Sequence, residues 1–275
     1  MALEGMSRYI FMHFHVFDQF HFRESRIHNL DPRIKVIVTV AFILSNAILP
    51  DGSWPAFALA WLLLLIGNDL ARVGLGFTFK RSFVVIPFTL VAVSAIFSPL
   101  GEPLAVWNFG FITLTPTDFG LIRFVSIIVR SWLSVQMAIL LVATTQFPDL
   151  IHAFEHLRLP RILTTIIAFL YRYLFVLSNE ALRIIRARDA RSAGLPGVKR
   201  GGSLSWRAKT TGNMIGQLFL RSYERSDRIY NAMISRGYTG HIRTFNPHEM
   251  GQKDWLVLGI SIFTLLLIQF VGWIR

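Results

Sequence analysis

The sequence predicts an all-α polytopic membrane protein with about five transmembrane helices and a helical insert on the cytoplasmic side. Hydrophobic residues make up 53% of the 275 residues, and charged residues only 16%. A soluble domain of this size would have about a quarter of its residues charged. Stretches such as 57–66 contain no charge at all, and the 28 Lys and Arg exceed the 16 Asp and Glu, which gives a net charge of +12. A polytopic membrane protein with one strongly basic part fits these three observations.

Composition excludes several other classes of protein. A near-normal apolar fraction with a low charged fraction excludes a disordered chain and most soluble enzymes. The chain has no Cys, which excludes a disulfide scaffold, thiolate chemistry, Cys-based zinc sites and iron–sulfur clusters. The first 30 residues lack the apolar core and the small-residue cleavage site of a signal peptide.

Five segments are apolar enough to cross a membrane. A transmembrane helix needs about 20 mostly apolar residues, because it must span about 30 Å of hydrocarbon with a rise of about 1.5 Å per residue. The segments are 34–49, 54–67, 83–100, 121–145 and 255–273. The last has Trp at both ends, which is typical of interfacial anchors.

The charges between these segments predict the orientation. Lys and Arg precede the first segment and separate the second from the third, whereas the loop 99–120 contains neither. Cytoplasmic loops carry the excess of Lys and Arg. We therefore expect the N-terminus to be cytoplasmic and the loop 99–120 to lie outside.

A basic stretch at residues 178–253 extends this prediction. It holds 14 Lys and Arg against 5 Asp and Glu, so the same rule places it in the cytoplasm. A span at 161–177 would put it outside, and we therefore expect residues 148–177 to form an amphipathic or packed helix at the cytoplasmic side. The predicted division is 1–145 for the N-terminal segment and four transmembrane helices, 146–253 for the cytoplasmic helices, and 254–275 for the last transmembrane helix.

Two helices are predicted in the cytoplasmic part, over 160–192 and 205–236, joined by a Gly- and Pro-containing basic connection. Each has a pattern with spacings of four, which places its members near one helix face. The two sets are Arg183, Ala187, Arg191 and Arg228, Ala232, Arg236.

Arg near a helix C-terminus stabilises the helix dipole, and a basic juxtamembrane surface attracts anionic lipid. A guanidinium at a helix tip is also suited to an acidic groove on another protein, since its planar fork binds carboxylate. The pattern leaves both interpretations open.

The ends of these helices resemble the paired Ala-Arg-Gly motifs in the transmembrane T component of energy-coupling-factor (ECF) transporters, prokaryotic ATP-driven importers of vitamins and metal ions. The matching residues are Ala190, Arg191, Ser192 and Ser235, Arg236, Gly237. Ser192 replaces the usual Gly and Ser235 the usual Ala; both are small. Residues 224–238 resemble the family's second motif region, and residues 25–35 its entry to the first span. The segment 17–20, Phe-Asp-Gln-Phe, is most similar to the CbiQ branch, which serves cobalt and nickel uptake.

The resemblance implies a coupling subunit in a prokaryotic plasma membrane. In the family, the two cytoplasmic helices cross and dock their Arg residues into two ATPase subunits, while the spans pack against a substrate-binding membrane subunit, either CbiM-like or an S component. Arg191 and Arg236 are then the coupling arginines, and cobalt or nickel is the implied cargo, with a vitamin or another substrate as the alternative. The chain lacks the GxxxxGK[ST] of a P-loop, so no cofactor is expected in this chain, and ATP and Mg belong to the partner ATPase. No nucleic acid partner is expected.

Three further features have competing interpretations. His152, Glu155 and His156 form an HxxEH pattern, which also occurs in zinc proteases, but no third ligand is evident downstream; a membrane metalloprotease is the alternative from another class. His residues cluster near the N-terminus, at positions 13, 15, 21 and 28, where aromatic packing is favoured over metal binding. Arg130, within the fourth predicted span, is either a functional charge or a side chain that snorkels or meets a partner. No metal site is predicted.

Overall fold

The computed structural model describes residues 25–97, 117–191, 203–240 and 250–274, together with the backbone of 107–108 and 113–114. The architecture is all-helical apart from a short antiparallel ribbon that pairs Trp107 with Leu114 and Asn108 with Thr113. The helices are α1 (Pro32–Ile48), α2 (Trp54–Ala71), α3 (Leu75–Ser82), α4 (Ile86–Ala92), α5 (Asp118–Thr144), α6 (Phe147–His156), α7 (Arg161–Arg191), α8 (Leu204–Ser235) and α9 (Gln252–Trp273). Short 3₁₀ turns at Phe83–Val85 and Val93–Phe97 flank α4.

Local sequence signals explain where the helices of the bundle begin. Asp31 caps α1, since its Oδ1 accepts a hydrogen bond from the backbone N–H of Arg33 at 2.8 Å. Pro32 follows at the first helical position, where its missing N–H costs nothing. Thr117 caps α5 by accepting from the Gly120 N–H at 3.2 Å, and Asp254 accepts from the Gly251 N–H at 3.0 Å at the start of α9.

The third predicted span differs from the observed helix in its start and its continuity. The helical segment begins at Leu75 rather than at residue 83 and includes Lys80 and Arg81. Because these two residues are charged, the apolar run in the sequence does not extend over the first turns of the helix. The segment tightens into a 3₁₀ turn at Phe83–Val85, just before Pro87. Proline has no N–H to donate and its ring collides with the carbonyl four residues earlier, which accounts for the break.

Five helices of the described chain are long and apolar enough to cross a membrane: Trp54–Ala71, Leu75–Ile96, Asp118–Thr144, Arg161–Arg191 and Gln252–Trp273. Four of them overlap predicted spans. Helix α1 has 17 residues and a length of about 26 Å, slightly less than the hydrocarbon core of a bilayer. Helix α7 qualifies by length and composition, so the prediction that it does not cross rests on the charge of the segment that follows it.

The core of the bundle lies between α1, α2, α5 and α9. Its buried side chains include Phe42, Phe57, Leu64, Leu133 and Ile268. The outward faces are also apolar: Phe88, Leu90 and Val91 are 69%, 72% and 75% exposed. Contiguous apolar surface of this kind is rare in water and is expected of a protein whose solvent is lipid.

Several polar side chains inside the bundle find partners on neighbouring helices. Asn46 donates to the Arg130 carbonyl at 2.9 Å and to Ser134 Oγ at 3.0 Å. Gln269 donates to the hydroxyl of Ser45 at 2.8 Å and also to its carbonyl. Lys35 Nζ donates at 3.1 Å to the carbonyl of Thr144, the last residue of α5, where a cation also complements the helix dipole. These contacts satisfy groups that lipid could not.

Arg130, whose role the sequence left open, belongs to this network. Its Nη2 donates to the Leu49 carbonyl at 2.6 Å and to Asp51 Oδ1 at 2.7 Å, and Arg123 Nε lies 3.9 Å from Asp51 Oδ2. Ser126 Oγ accepts from the backbone N–H of Gly52 at 2.9 Å. Helix α5 therefore holds the turn between α1 and α2 through an ion pair and a hydrogen bond.

The chain divides into two compact units. One comprises Met1–Leu157 and Pro247–Arg275, and the other is Arg158–Asn246. Helix α6 packs on α1 in the first unit. The second unit, called the insert below, contains α7 and α8.

Candidate functional site

The two helices of the insert have almost no core of their own. Helix α7 has 31 residues and α8 has 32, which correspond to about 46 Å and 48 Å of helix. Thr164 is the one buried residue of α7, and none is buried in α8. Nearly all their side chains are therefore open to solvent, lipid or a partner. Their bounds lie within one residue of the predicted ones.

Helix α8 ends in a well-defined cap that presents Arg236. Gly237 is left-handed with φ of 79°, and its N–H donates to the Ile234 carbonyl at 2.9 Å. The N–H of Tyr238 donates to the Met233 carbonyl at 3.0 Å. These two bonds form a Schellman motif, in which Gly237 is the left-handed residue. Arg236 occupies the capping position with its side chain exposed.

The conformation of Gly237 allows a test of this cap. Ala at this position would have to adopt a left-handed conformation, at a cost of about 1 kcal/mol, so Gly237→Ala is expected to fray the last turn of α8. Gly237→Asn should be milder, since Asn tolerates this region. Amide hydrogen exchange of residues 231–236 measures the fraying. Gly216→Ala is the control, since Gly216 lies within α8 with open space around its Cα; equal exchange in all variants would contradict the role of the cap.

Helix α7 ends at the other predicted motif. Ala190 and Arg191 are exposed, and Arg191 is the final helical residue. Ser192 lies outside the described residues. Just before Arg191, Arg188 Nη2 lies 2.7 Å from Oδ1 of the adjacent Asp189. Both predicted coupling arginines are therefore exposed at helix ends.

The other predicted residues lie along the two helices. Arg183, Ala187 and Arg191 line one cleft of about 680 Å³ between α7 and α8, and Arg228 and Ala232 line a second one, of about 560 Å³. Ser235, the last residue of α8, donates through Oγ to the Asn231 carbonyl at 2.9 Å, so this hydroxyl is satisfied within its own helix. The spacing of four thus places the first set, and Arg228 and Ala232 of the second, along the space between the helices.

Sequence reasoning missed the contact that joins the two helices. Arg221 Nη1 of α8 donates to Glu180 Oε1 of α7 at 2.6 Å, and Arg183 Nη1 lies 3.6 Å from Glu180 Oε2. The available signal was that Glu180 is one of few acids in a basic stretch. An isolated acid among arginines suggests a pair, but its partner is 41 residues away in sequence.

The HxxEH segment forms the end of α6. The rings of His152 and His156 meet edge to face with centroids 4.6 Å apart. Within the described part of the chain, no three His, Asp or Glu side chains form a group that could hold a metal ion. His13, His15 and His21 of the N-terminal cluster lie outside the described residues. A hydrogen bond of 2.6 Å joins His28 Nδ1 to Ser25 Oγ.

Comparison with known proteins identifies the family. A family model described as CbiQ, cobalt transport protein, matches residues 23–246, which is most of the chain. An energy-coupling factor transporter transmembrane protein EcfT from Thermanaerovibrio acidaminovorans is 31% identical, over 90% of this chain and 93% of its own length. The chain belongs to the CbiQ/EcfT family. It is thus a T component of an ECF transporter, a non-catalytic, multi-pass membrane subunit.

Two further proteins are similar to this chain over most of their length. An EcfT protein from Lacticaseibacillus paracasei is 28% identical, over 86% of this chain and 90% of its own. An uncharacterized protein from Methanocaldococcus jannaschii is 30% identical, over 89% and 82%. Membership in a non-catalytic family favours the transporter interpretation over the metalloprotease.

Proposed function

We propose that this chain couples two ATPase subunits to a substrate-binding membrane subunit in an importer of cobalt or nickel ions. In this arrangement Arg191 and Arg236 each dock into one ATPase subunit, and hydrolysis of ATP takes place in those partners. The substrate-binding subunit, CbiM-like or an S component, packs against the membrane-spanning helices. The N-terminus and the insert face the cytoplasm of a prokaryotic cell.

The exposure of both arginines at the ends of two long, coreless helices is the observation that supports this function most directly. Guanidinium groups form short, charge-assisted bidentate bonds with carboxylates. A helix end that presents such a group, rigidly capped at Gly237, can transmit a displacement of the ATPase along the helix. Hinge or shear motion of packed helices is a common form of conformational change in proteins.

Cobalt or nickel as cargo is supported by the description of the matching family and by the similarity of segment 17–20 to the CbiQ branch. The relatives named EcfT carry no substrate in their names. A T component for a vitamin or another substrate is therefore the alternative. In either case selectivity belongs to the substrate-binding subunit.

Reconstituted uptake tests this function. The chain is co-expressed with an ATPase pair and a CbiM-like subunit, and the purified complex is placed in proteoliposomes. We expect ATP-dependent accumulation of ⁵⁷Co²⁺ or ⁶³Ni²⁺, and none when the ATPase is replaced by a hydrolysis-deficient variant. Failure of the ATPase subunits to co-purify would contradict the coupling role. Transport of vitamins with S components, without metal uptake, would favour the alternative cargo.

A further inference from the structure

Glu180 and Arg221 form the contact at which the two helices of the insert cross. The 2.6 Å distance between Arg221 Nη1 and Glu180 Oε1 joins α8 to α7. The side chain of Glu180 is only 15% exposed, whereas that of Arg221 is 57% exposed. The carboxylate is thus partly covered at the helix pair, whereas most of the arginine side chain remains exposed.

Clefts on either side of this pair define the crossing. Glu180, Arg183 and Arg221 line two clefts, of about 260 Å³ and about 680 Å³. In the larger cleft, the end of α7 near Arg191 faces the start of α8 near Trp206. In a third cleft, Tyr173 and Val176 of α7 face Ile229 and Ala232 of α8. The helices are therefore antiparallel, and clefts flank the pair in both directions along them.

This arrangement places the two coupling arginines on opposite sides of the crossing. Arg191 lies 11 residues beyond Glu180 on α7, and Arg236 lies 15 residues beyond Arg221 on α8. These intervals correspond to about 16 Å and about 22 Å of helix. Because the two arms have fixed lengths, the angle at which the helices cross sets the separation of the two tips.

The charges at the crossing make Glu180 hard to replace. Arg183, Arg221, Arg225 and Arg228 line the same cleft as Glu180, and Glu224 is the other acid of that lining. Without the Glu180 carboxylate, cations of α7 and α8 would face one another across a contact that buries almost no apolar side chain. Like charges at short distance repel, and no core compensates for this repulsion.

We propose that Glu180 is the positioning residue of the insert: its ion pair with Arg221 fixes the crossing of α7 and α8 and thereby the separation of Arg191 and Arg236. This positioning role rests on the coupling function proposed above. The geometry of the crossing itself does not depend on that function and can be measured separately.

The natural absence of Cys permits a direct distance measurement. Spin labels are attached at Ile185→Cys and Tyr230→Cys, which are exposed and lie on either side of the crossing, in the full chain within its complex. We expect one narrow distance distribution in the otherwise unchanged chain. In Glu180→Gln, which keeps the shape but removes the charge, the distribution should broaden. Transport per ATP hydrolysed should fall about fivefold, as loss of a partly exposed ion pair allows.

The charge-swapped pair Glu180→Arg with Arg221→Glu provides the rescue. It should restore a narrow distance distribution and bring transport per ATP to within about twofold of the starting value, whereas Arg221→Glu alone should not. A Gln variant with an unchanged distribution, or with unchanged transport per ATP, would overturn the positioning role. If the unmodified complex fails to couple ATP to transport, the proposed function fails, while the distance measurement still decides whether the pair sets the crossing.

Discussion

Replacing Arg236 or Arg191 by Ala is expected to reduce ATP-driven uptake by at least about thirtyfold, because truncating one partner of an interfacial charge pair costs about 2–5 kcal/mol. Both side chains are exposed at helix ends and support no core, so insertion and folding should be unaffected. Lys at either position would keep the charge but lose the bidentate fork, and should give partial activity. Uptake in proteoliposomes and retention of the ATPase during purification are the two measurements.

Arg186→Ala is the matched control for these variants. Arg186 is exposed on α7, and its Nε donates to the Leu182 carbonyl of the same helix. Its removal lowers the positive charge of the insert by the same amount without touching a helix end. If Arg186→Ala reduced uptake as much as Arg191→Ala, a general electrostatic attraction to lipid or ATPase would explain the effect, and specific docking would be contradicted.

Replacing Asp51 by Asn is expected to destabilise the membrane bundle by about 2–4 kcal/mol, since it leaves the Arg130 charge without its partner in a mostly enclosed position. The side chains of Arg130 and Asp51 are 20% and 24% exposed. Arg130 would retain the Leu49 carbonyl, 2.6 Å away, and Arg123 would lose the same carboxylate. Thermal unfolding in detergent measures the loss as a lower Tm.

Asp69→Asn is the control for this change, because Asp69 is an exposed acid near the end of α2. A double variant, Asp51→Asn with Arg130→Met, should recover part of the stability, since it removes the uncompensated charge. An Asp51→Asn protein as stable as the Asp69→Asn protein would show that the pair contributes nothing to holding the α1–α2 turn on α5.

The helix ends of the insert could be predicted because their signals are local. Pro160 precedes α7, and Gly237 follows the last residues of α8, where only a left-handed residue completes the cap. The apolar runs of α2, α5 and α9 were found for the same reason: each run contains its own signal. The bounds of the third span were predicted less well, because the helix is interrupted before Pro87 and its first turns, in α3, are charged.

Contacts between distant segments could not be predicted. Asp51 and Arg130 are 79 residues apart, and Glu180 and Arg221 are 41 apart. The sequence around each of these charged residues does not indicate its partner, since the chain offers many other acids and arginines for pairing. The coupling role of the two exposed arginines was predicted through resemblance to a family, while the pair at the crossing required the structure.

The docking of both helix tips on the ATPase is the central claim, and cysteine accessibility tests it most directly. Single Cys residues are placed at Ala190 and Ser235, beside the two arginines, with Ile185→Cys as the exposed control. Labelling by a membrane-impermeant maleimide is compared between the isolated chain and the complex with its ATPase. We predict that assembly slows labelling at 190 and 235 at least about tenfold and leaves 185 unchanged, because a docked tip excludes solvent. Equal labelling rates at both tips with and without the ATPase would contradict the claim.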